Sequence, residues 1–292
     1  MIKSMTGFGR SELSVNDRKI TVEMKSVNHR YLDVNIKIPK KFNFYEAFLR
    51  NLLKKYIERG KVDVFVTYED SSEGSKMLSY DGALAKEYAD YIEQMSRELK
   101  IVNDITTSSL IKCQDIFVMQ EQAIDEDEME QLLTQTFEEA AKNFVSTRIT
   151  EGENLKNDLL EKLEQMLSYV KFIEERSPKI IEEYKKKLTE KISELLDNQQ
   201  IDENRIVMEV TLYADKICVD EEIVRLKSHI EGMKATLLKG GAVGRKLDFV
   251  AQEMNREANT ILSKSSDVQI TDIGIELKTI IEKIREQIQN IE

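Results

Sequence analysis

The sequence predicts an α+β fold: an N-terminal β-β-β-α-β domain, then a long, mostly α-helical body with a C-terminal helical bundle. Three observations carry this. Alternation of apolar and polar residues with period two is confined to about the first 70 residues. Further along, apolar residues recur at three- and four-residue steps, the period of a helix. The 292 residues hold only 2 prolines and 11 glycines, and 33% are charged, a composition suited to long helices. Such a length supports more than one core. The expected parts are residues 1–120 (α+β), 121–200 (a long helical connection) and 201–292 (a helical domain bearing the motifs).

In chain order, Ile20–Met24 and Tyr31–Ile38 alternate as half-buried strands, with Asn28 and His29 at the turn between them. Asn43 is placed to cap a helix running to about Arg59, ended by Gly60. Val62, Val64, Val66 and Tyr68 alternate as a further strand. Ser71–Ser75 reads as a turn or short linker. Asp81 caps a helix to about Lys100, with Leu84, Tyr88, Tyr91, Met95 and Leu99 at helical spacing. The acidic run Asp125–Glu130 suits a helix N-terminus, and that helix is expected to reach Glu175. Ser177-Pro178 predicts a break and a new helix to about Leu196. Asp202 starts another, its stripe Ile206, Val210, Tyr213 and Ile217 favouring helix over strand. Asp220 is expected to cap the next, with stripe Ile223, Leu226, Ile230, Met233 and Leu237. From Asp267, the seam Ile270, Ile273, Leu277, Ile280, Ile284, Ile288 and Ile291 requires a helical partner, in the same chain or another.

Net charge is −11, yet residues 1–64 carry +7 and residues 65–292 carry −18. A basic lobe on an acidic body suits a polyanion partner, or attraction between the two halves. No apolar run is long enough to span a membrane, and MIKSMTGFGR lacks the apolar core of a signal peptide. Cys113 and Cys218 read as small core residues, and two cysteines are too few for a disulfide framework. A cytoplasmic protein is therefore expected.

The stretch Gly240–Asp267 is the most informative. As a helix from Gly244, at about 100° per residue, it sorts into three arcs. Leu247, Val250, Ala251, Met254, Ala258, Ile261 and Leu262 form a face to bury. Lys246, Glu253, Glu257, Thr260 and Lys264 form an ordinary solvated face. Arg245, Asp248, Gln252, Asn255, Arg256, Asn259 and Ser263 form the third. Asn and Ser are poor helix formers, so placing them on one face implies a use for their donors and acceptors. That use is hydrogen bonding to bases, sugars, phosphates or partner side chains, or a polar seam between packed helices or subunits.

Motifs of zinc ribbons, zincins, α/β-hydrolases and P-loops are absent. The glycine-rich turn before Arg245-Lys246 either holds a phosphate at a helix N-terminus or is a plain interhelical loop. His229 shares one helix side with Glu221, Glu222 and Arg225, an arrangement open to acid–base chemistry; a lone histidine is more often structural. Asp215, Glu221, Glu222, Asp248, Glu253 and Glu257 are oxygen ligands of the kind Mg²⁺ or Mn²⁺ takes, among many carboxylates that are merely solvated.

Six segments resemble the YicC/YloC family of bacterial proteins: MIKSMTGFGR, SVNHRYLDV (26–34), RGKVDV (59–64), ADKICVDEEIVRLKSHI (214–230), GRKLDFVAQEMNREANTILSKSSD (244–267) and REQIQNIE (285–292). The chain departs from the family near residues 110–118, where Leu110-Ile111-Lys112-Cys113-Gln114-Asp115 replaces a stretch containing tryptophan and proline. The resemblance implies an endoribonuclease of bacterial RNA turnover, assembled as a ring-like homo-oligomer, a hexamer, and using a divalent ion, Mn²⁺ or Mg²⁺. Carried over residue by residue, it assigns cleavage to Glu222, Arg225, His229, Asp248, Glu253, Arg256 and Glu257, with Glu222, Asp248, Glu253 and Glu257 as metal ligands. It assigns RNA contact to Arg10, His29, Arg30, Arg59, Lys61, Arg245, Lys246, Gln252, Asn255 and Asn259, with Asn28 in the same motif. The alternatives are a non-catalytic oligomeric RNA-binding scaffold and a nucleotide-binding regulator that uses Arg245 and Lys246.

Overall fold

The computed structural model describes residues 1–71, 76–121, 126–196 and 203–292. The expected residues Ser72–Ser75 of the linker, Asp125 and Asp202 lie outside them.

Strands β1 (Gly7–Val15), β2 (Arg18–Val27), β3 (Leu32–Lys37) and β4 (Gly60–Asp70) form a sheet in the order β1-β2-β4-β3. Its first three strands in that order pair antiparallel, while β3 runs parallel to β4. The parallel pair requires a crossover, and helix α1 (Glu46–Leu53) supplies it. The β-β-β-α-β order is therefore present, as expected. The predicted helix from Asn43 to Arg59 is shorter and starts differently. A 3-10 turn, Lys40–Tyr45, follows Pro39, and Asn43 caps nothing. Phe42 and Tyr45, three residues apart, both have to bury, and a three-residue repeat lets them do so on one side. Phe42 meets Tyr68 edge-on at 5.2 Å.

Strand β5 (Lys76–Tyr80) pairs with β6 (Phe117–Glu121), and between them lie α2 (Gly82–Leu99) and the short α3 (Thr107–Leu110). The Asp81 carboxylate accepts from the Leu84 N–H and caps α2 as expected. The α2 stripe is not buried, however: Tyr91 is 66% exposed, and Met95 and Leu99 are exposed too. Nor are the cysteines core residues. Cys113 is half-buried and Cys218 is exposed, because both fall where helical segments end.

Helix α4 (Glu126–Leu196) runs unbroken through Ser177-Pro178, contrary to the predicted break. Pro178 removes one backbone donor. Ile173 and Ile180, on either side of it, are both buried in the same cluster. Arg176 also reaches across to Glu183 at 2.6 Å. Packing on both flanks outweighs the lost bond.

Three further helices follow α5 (Glu203–Ile217): α6 (Asp220–Lys239), α7 (Gly244–Lys264) and α8 (Val268–Ile288). The helical reading of 206–213 holds. Val219, not Asp220, occupies the cap position of α6, and Asp220 sits in the first turn. The isoleucine seam of α8 finds its partners within the chain, in α7 and α4.

Two cores result. One gathers the sheet, α1 and Met129–Phe144 of α4; the other gathers the later part of α4 with α6, α7 and α8. The N-terminal segment ties them. Ile2 is buried in the helical core, Ser4 bridges Ile291, and Met5 N–H donates to the Asn290 carbonyl at 2.8 Å. Gly9 on β1 is required there: a Cβ would stand 2.4 Å from the Ala140 carbonyl oxygen of α4.

Candidate functional site

The apolar arc of α7 is buried as expected, with Leu247, Ala251, Met254, Ala258 and Ile261 fully enclosed. One assignment on this helix was wrong. Glu257 is not on a solvated face; it is 5% exposed. Helix α6 packs along that side, and the Arg225 guanidinium stands 3.8 Å from the Glu257 carboxylate. Arg225 also pairs with Glu221, one turn back.

Glu222 is buried on the same groove. Its Oε1 accepts from the Lys264 ammonium at 2.8 Å, and its Oε2 is buried without a hydrogen-bond partner. The bond to Glu222 holds the Lys264 ammonium above its usual pKa. Glu222 beside Lys264 and Arg225 beside Glu257 fix an antiparallel register between α6 and α7. One turn further along each helix, the Arg225–Glu257 pair sets His229 level with Glu253, and both are half-buried. The groove thus orders Glu222, Arg225 and His229 against Lys264, Glu257 and Glu253.

The third arc of α7 is open. Gln252, Asn255, Arg256, Asn259, Thr260 and Ser263 line a concavity of about 480 Å³. Its side chains form a connected ladder. Gln252 donates to Asp248 at 2.9 Å, Asn255 to Glu282 of α8 at 3.0 Å, and Asn259 to Asn255 at 3.4 Å. Arg285 of α8 approaches Asp248 at 3.4 Å. Arg256 makes no side-chain ion pair among the described residues and is exposed.

Near the start of α7 the two sequence motifs meet. Asn28, Arg30 and Arg59 from the sheet domain line a concavity of about 350 Å³ with Gly244, Arg245 and Asp248 of α7. The Arg59 Nε donates to the Arg30 carbonyl at 3.1 Å, which fixes the two arginine-bearing loops to each other. Gly244 is needed for the fit, since a Cβ would stand 2.6 Å from the Ile291 carbonyl oxygen. Three arginines and the free N–H groups of a helix start line this space against one carboxylate, Asp248, an arrangement of net positive charge suited to an anion. From Arg245 to Glu257 is about 18 Å along the helix axis.

Other expected residues are not in these two concavities. Arg10 lies on β1 and is held by Glu12 and Glu23. His29 is exposed on the loop beside Arg30, its Nδ1 3.0 Å from the Tyr31 carbonyl. Lys61 is exposed at the start of β4, and Lys246 is exposed on the first turn of α7. The four carboxylates expected to share a divalent ion do not converge. Asp248 and Glu257 are nine residues apart on one helix, about 13 Å. Glu222 already faces the Lys264 ammonium, where a cation would have to sit. Among the described residues no group of three or more His, Cys, Asp or Glu side chains is placed to hold a metal ion. Within one chain, that donor set does not fit a common metal.

Two participants were missed from sequence. In the sequence Lys264 falls on the solvated arc of α7, and no motif marks Arg285 by itself. Only long-range packing brings them to Glu222 and Asp248, so no local signal pointed to them.

A family model described as "Endoribonuclease YicC-like, N-terminal region" matches residues 2–157, and one described as "Endoribonuclease YicC-like, C-terminal" matches residues 173–292. The chain is 43% identical over 293 residues to a protein of Clostridioides difficile named "Probable endoribonuclease YicC". It is 34% identical over 295 residues to a protein of the same name from Haemophilus influenzae. Both alignments cover all of this chain and all of the relative.

Proposed function

The chain belongs to the YicC-like endoribonuclease family, and from that premise we propose that it cleaves RNA along the open side of α7. The observation that carries the reading is the cationic concavity of Arg30, Arg59 and Arg245, which adjoins the polar arc of α7; the Arg225–Glu257 groove runs along another side of the same helix. The three arginines and Lys246 hold phosphates. Gln252, Asn255, Arg256 and Asn259 hydrogen-bond riboses and phosphates without reading every base.

In the reaction that suits this groove, the His229 imidazole takes the proton of a ribose 2′-OH. The 2′-oxygen attacks phosphorus, and the P–O5′ bond breaks. The 5′-oxygen takes a proton from water, and the imidazolium returns its own to solvent. The products are a 2′,3′-cyclic phosphate and a 5′-OH end. Arg225 and Arg256 neutralise the charge that builds on the phosphorane oxygens. The step is written without a divalent ion, since within one chain the carboxylates do not converge as a ligand set. A helical pair whose polar arc contacts only protein is the competing reading, that of an RNA-binding scaffold.

Assembly into a ring-like oligomer, a hexamer, belongs to the same proposal. It is supported by the apolar surface of the β5–β6 and α2 region, where Leu78, Tyr80, Tyr91, Leu99 and Met119 are exposed. No helix among the described residues is long and apolar enough to cross a membrane.

The test is cleavage of single-stranded and hairpin RNA by the wild-type protein, with His229→Ala and Glu257→Gln as controls. Cyclic phosphate ends, insensitive to EDTA and lost in His229→Ala, are the expected result. Ends bearing a 5′-phosphate and lost in EDTA would overturn the histidine route. Intact RNA throughout would leave only the scaffold.

A further inference from the structure

Phe249 is 63% exposed on the polar side of α7. It stands four residues after Arg245, three before Gln252 and seven before Arg256, spacings that put all four on one helix face. A single exposed phenylalanine needs no explanation in general. Here a second, independent feature lies opposite it. Gly232 sits in the interior of α6, where glycine is the poorest helix former after proline. A Cβ at Gly232 would have nothing within 4 Å. Among the described residues nothing therefore requires a glycine there, and alanine would strengthen the helix.

The two positions are neighbours by register. The Arg225–Glu257 pair sets Gly232 level with Val250, one residue from Phe249, and the Glu222–Lys264 pair sets it one turn away, level with Met254. Gly232 is also one turn beyond His229 on the same helix. A bare stretch of helix and an unburied ring thus flank one lane, just past the proposed reacting groups. The surroundings of the ring are guanidinium and carboxamide groups, which can hydrogen-bond a polynucleotide.

We infer that Phe249 is the platform on which one base of the RNA strand stacks, and that Gly232 leaves room for that same strand to lie against α6. Stacking on an aromatic face is sequence-tolerant, which suits an enzyme that grips the backbone. The inference rests on the RNA reading above and adds a base subsite to it.

The protein contains no tryptophan, so Phe249→Trp introduces a single fluorophore at the site. Titration with a short single-stranded RNA should quench it, whereas inorganic polyphosphate, which has no bases, should not. Phe249→Ala should bind labelled RNA about tenfold more weakly, with Phe249→Tyr close to wild type. Gly232→Ala should raise the melting temperature by about 2–4 °C and still weaken RNA binding, a combination that a purely structural glycine does not give. If wild type binds RNA but Phe249→Ala and Gly232→Ala bind it equally well, the subsite is overturned and the RNA reading stands. If those variants instead change oligomeric state without changing RNA affinity, the lane belongs to a second copy and the subsite is again overturned. If wild type binds no RNA, the RNA reading itself has failed.

Discussion

Arg225 of α6 stands 3.8 Å from the Glu257 carboxylate of α7, and the two partners are unequally exposed: the arginine side chain is 57% exposed and the glutamate 7%. Their removal should therefore have unequal consequences. Arg225→Ala leaves a buried carboxylate without its counter-charge, at a cost of about 1–3 kcal/mol. Glu257→Gln leaves a guanidinium that water and Glu221 still solvate, at a cost of about 1 kcal/mol or less. Chemical denaturation should rank the variants in that order. RNA cleavage should fall in both, by about 10²-fold or more, if the pair sets the groove's charge. Unchanged cleavage in Glu257→Gln would remove the pair from the mechanism.

Much of the architecture was legible from residue patterns. The alternating strands, the Asp81 cap, the α7 arcs and the isoleucine seam of α8 are local or periodic signals, and they survive in the structure. What was misread depended on tertiary context. Pro178 gives a strong local stop signal, but Ile173 and Ile180 on either side of it are fixed by the same core. Glu257 reads as solvated because a carboxylate usually is, and only the approach of α6 buries it. Arg30, Arg59 and Arg245 could be nominated singly. Their common concavity follows from the N-terminal segment docking beside Asn290 and Ile291, which no spacing in the sequence encodes.

That docking has a measurable anchor. Arg148 of α4 is 1% exposed, and it donates to Glu292 at 2.7 Å and to the Ser4 carbonyl. Burial pushes the Arg148 pKa down, and Glu292 opposes this. Glu292→Ala strands a buried guanidinium and should cost about 3–5 kcal/mol. Arg148→Met, which removes the charge and keeps the length, should cost less. Thermal unfolding of the two variants checks the order. Equal small effects would show that the ion pair does not hold the N-terminal segment in place.

Acid should loosen the molecule at a definable place. Asp267 caps α8 through the Ile270 N–H and accepts from Arg176 at 2.9 Å. The Arg176 hydrogen bond holds its pKa below the ordinary aspartate range. The same guanidinium lowers Glu183. A depressed carboxylate stabilises the fold fully above its unfolded pKa, and the contribution is lost as pH falls through the folded value. Stability should therefore decline below about pH 4. Asp267→Asn should be less stable than wild type by about 1–2 kcal/mol at neutral pH and should lose part of the acid-dependent slope. Parallel pH–stability curves for the two proteins would contradict the assignment.

The cationic concavity makes the sharpest claim about ligand chemistry. Arg30, Arg59 and Arg245 converge there from separate parts of the chain, and each is expected to meet a phosphate. Neutralising a phosphate releases condensed counterions, so the logarithm of RNA affinity should fall linearly with the logarithm of salt concentration. Each of Arg30→Gln, Arg59→Gln and Arg245→Gln should weaken single-stranded RNA binding and reduce the slope by about 0.7. The loss should be similar for different base sequences, since a phosphate carries no sequence information. Arg10→Gln, on a strand outside the concavity and already paired with Glu12 and Glu23, should leave the slope unchanged. A slope that responds to Arg10 and not to the other three would move the binding surface from the start of α7 to the outer strands of the sheet.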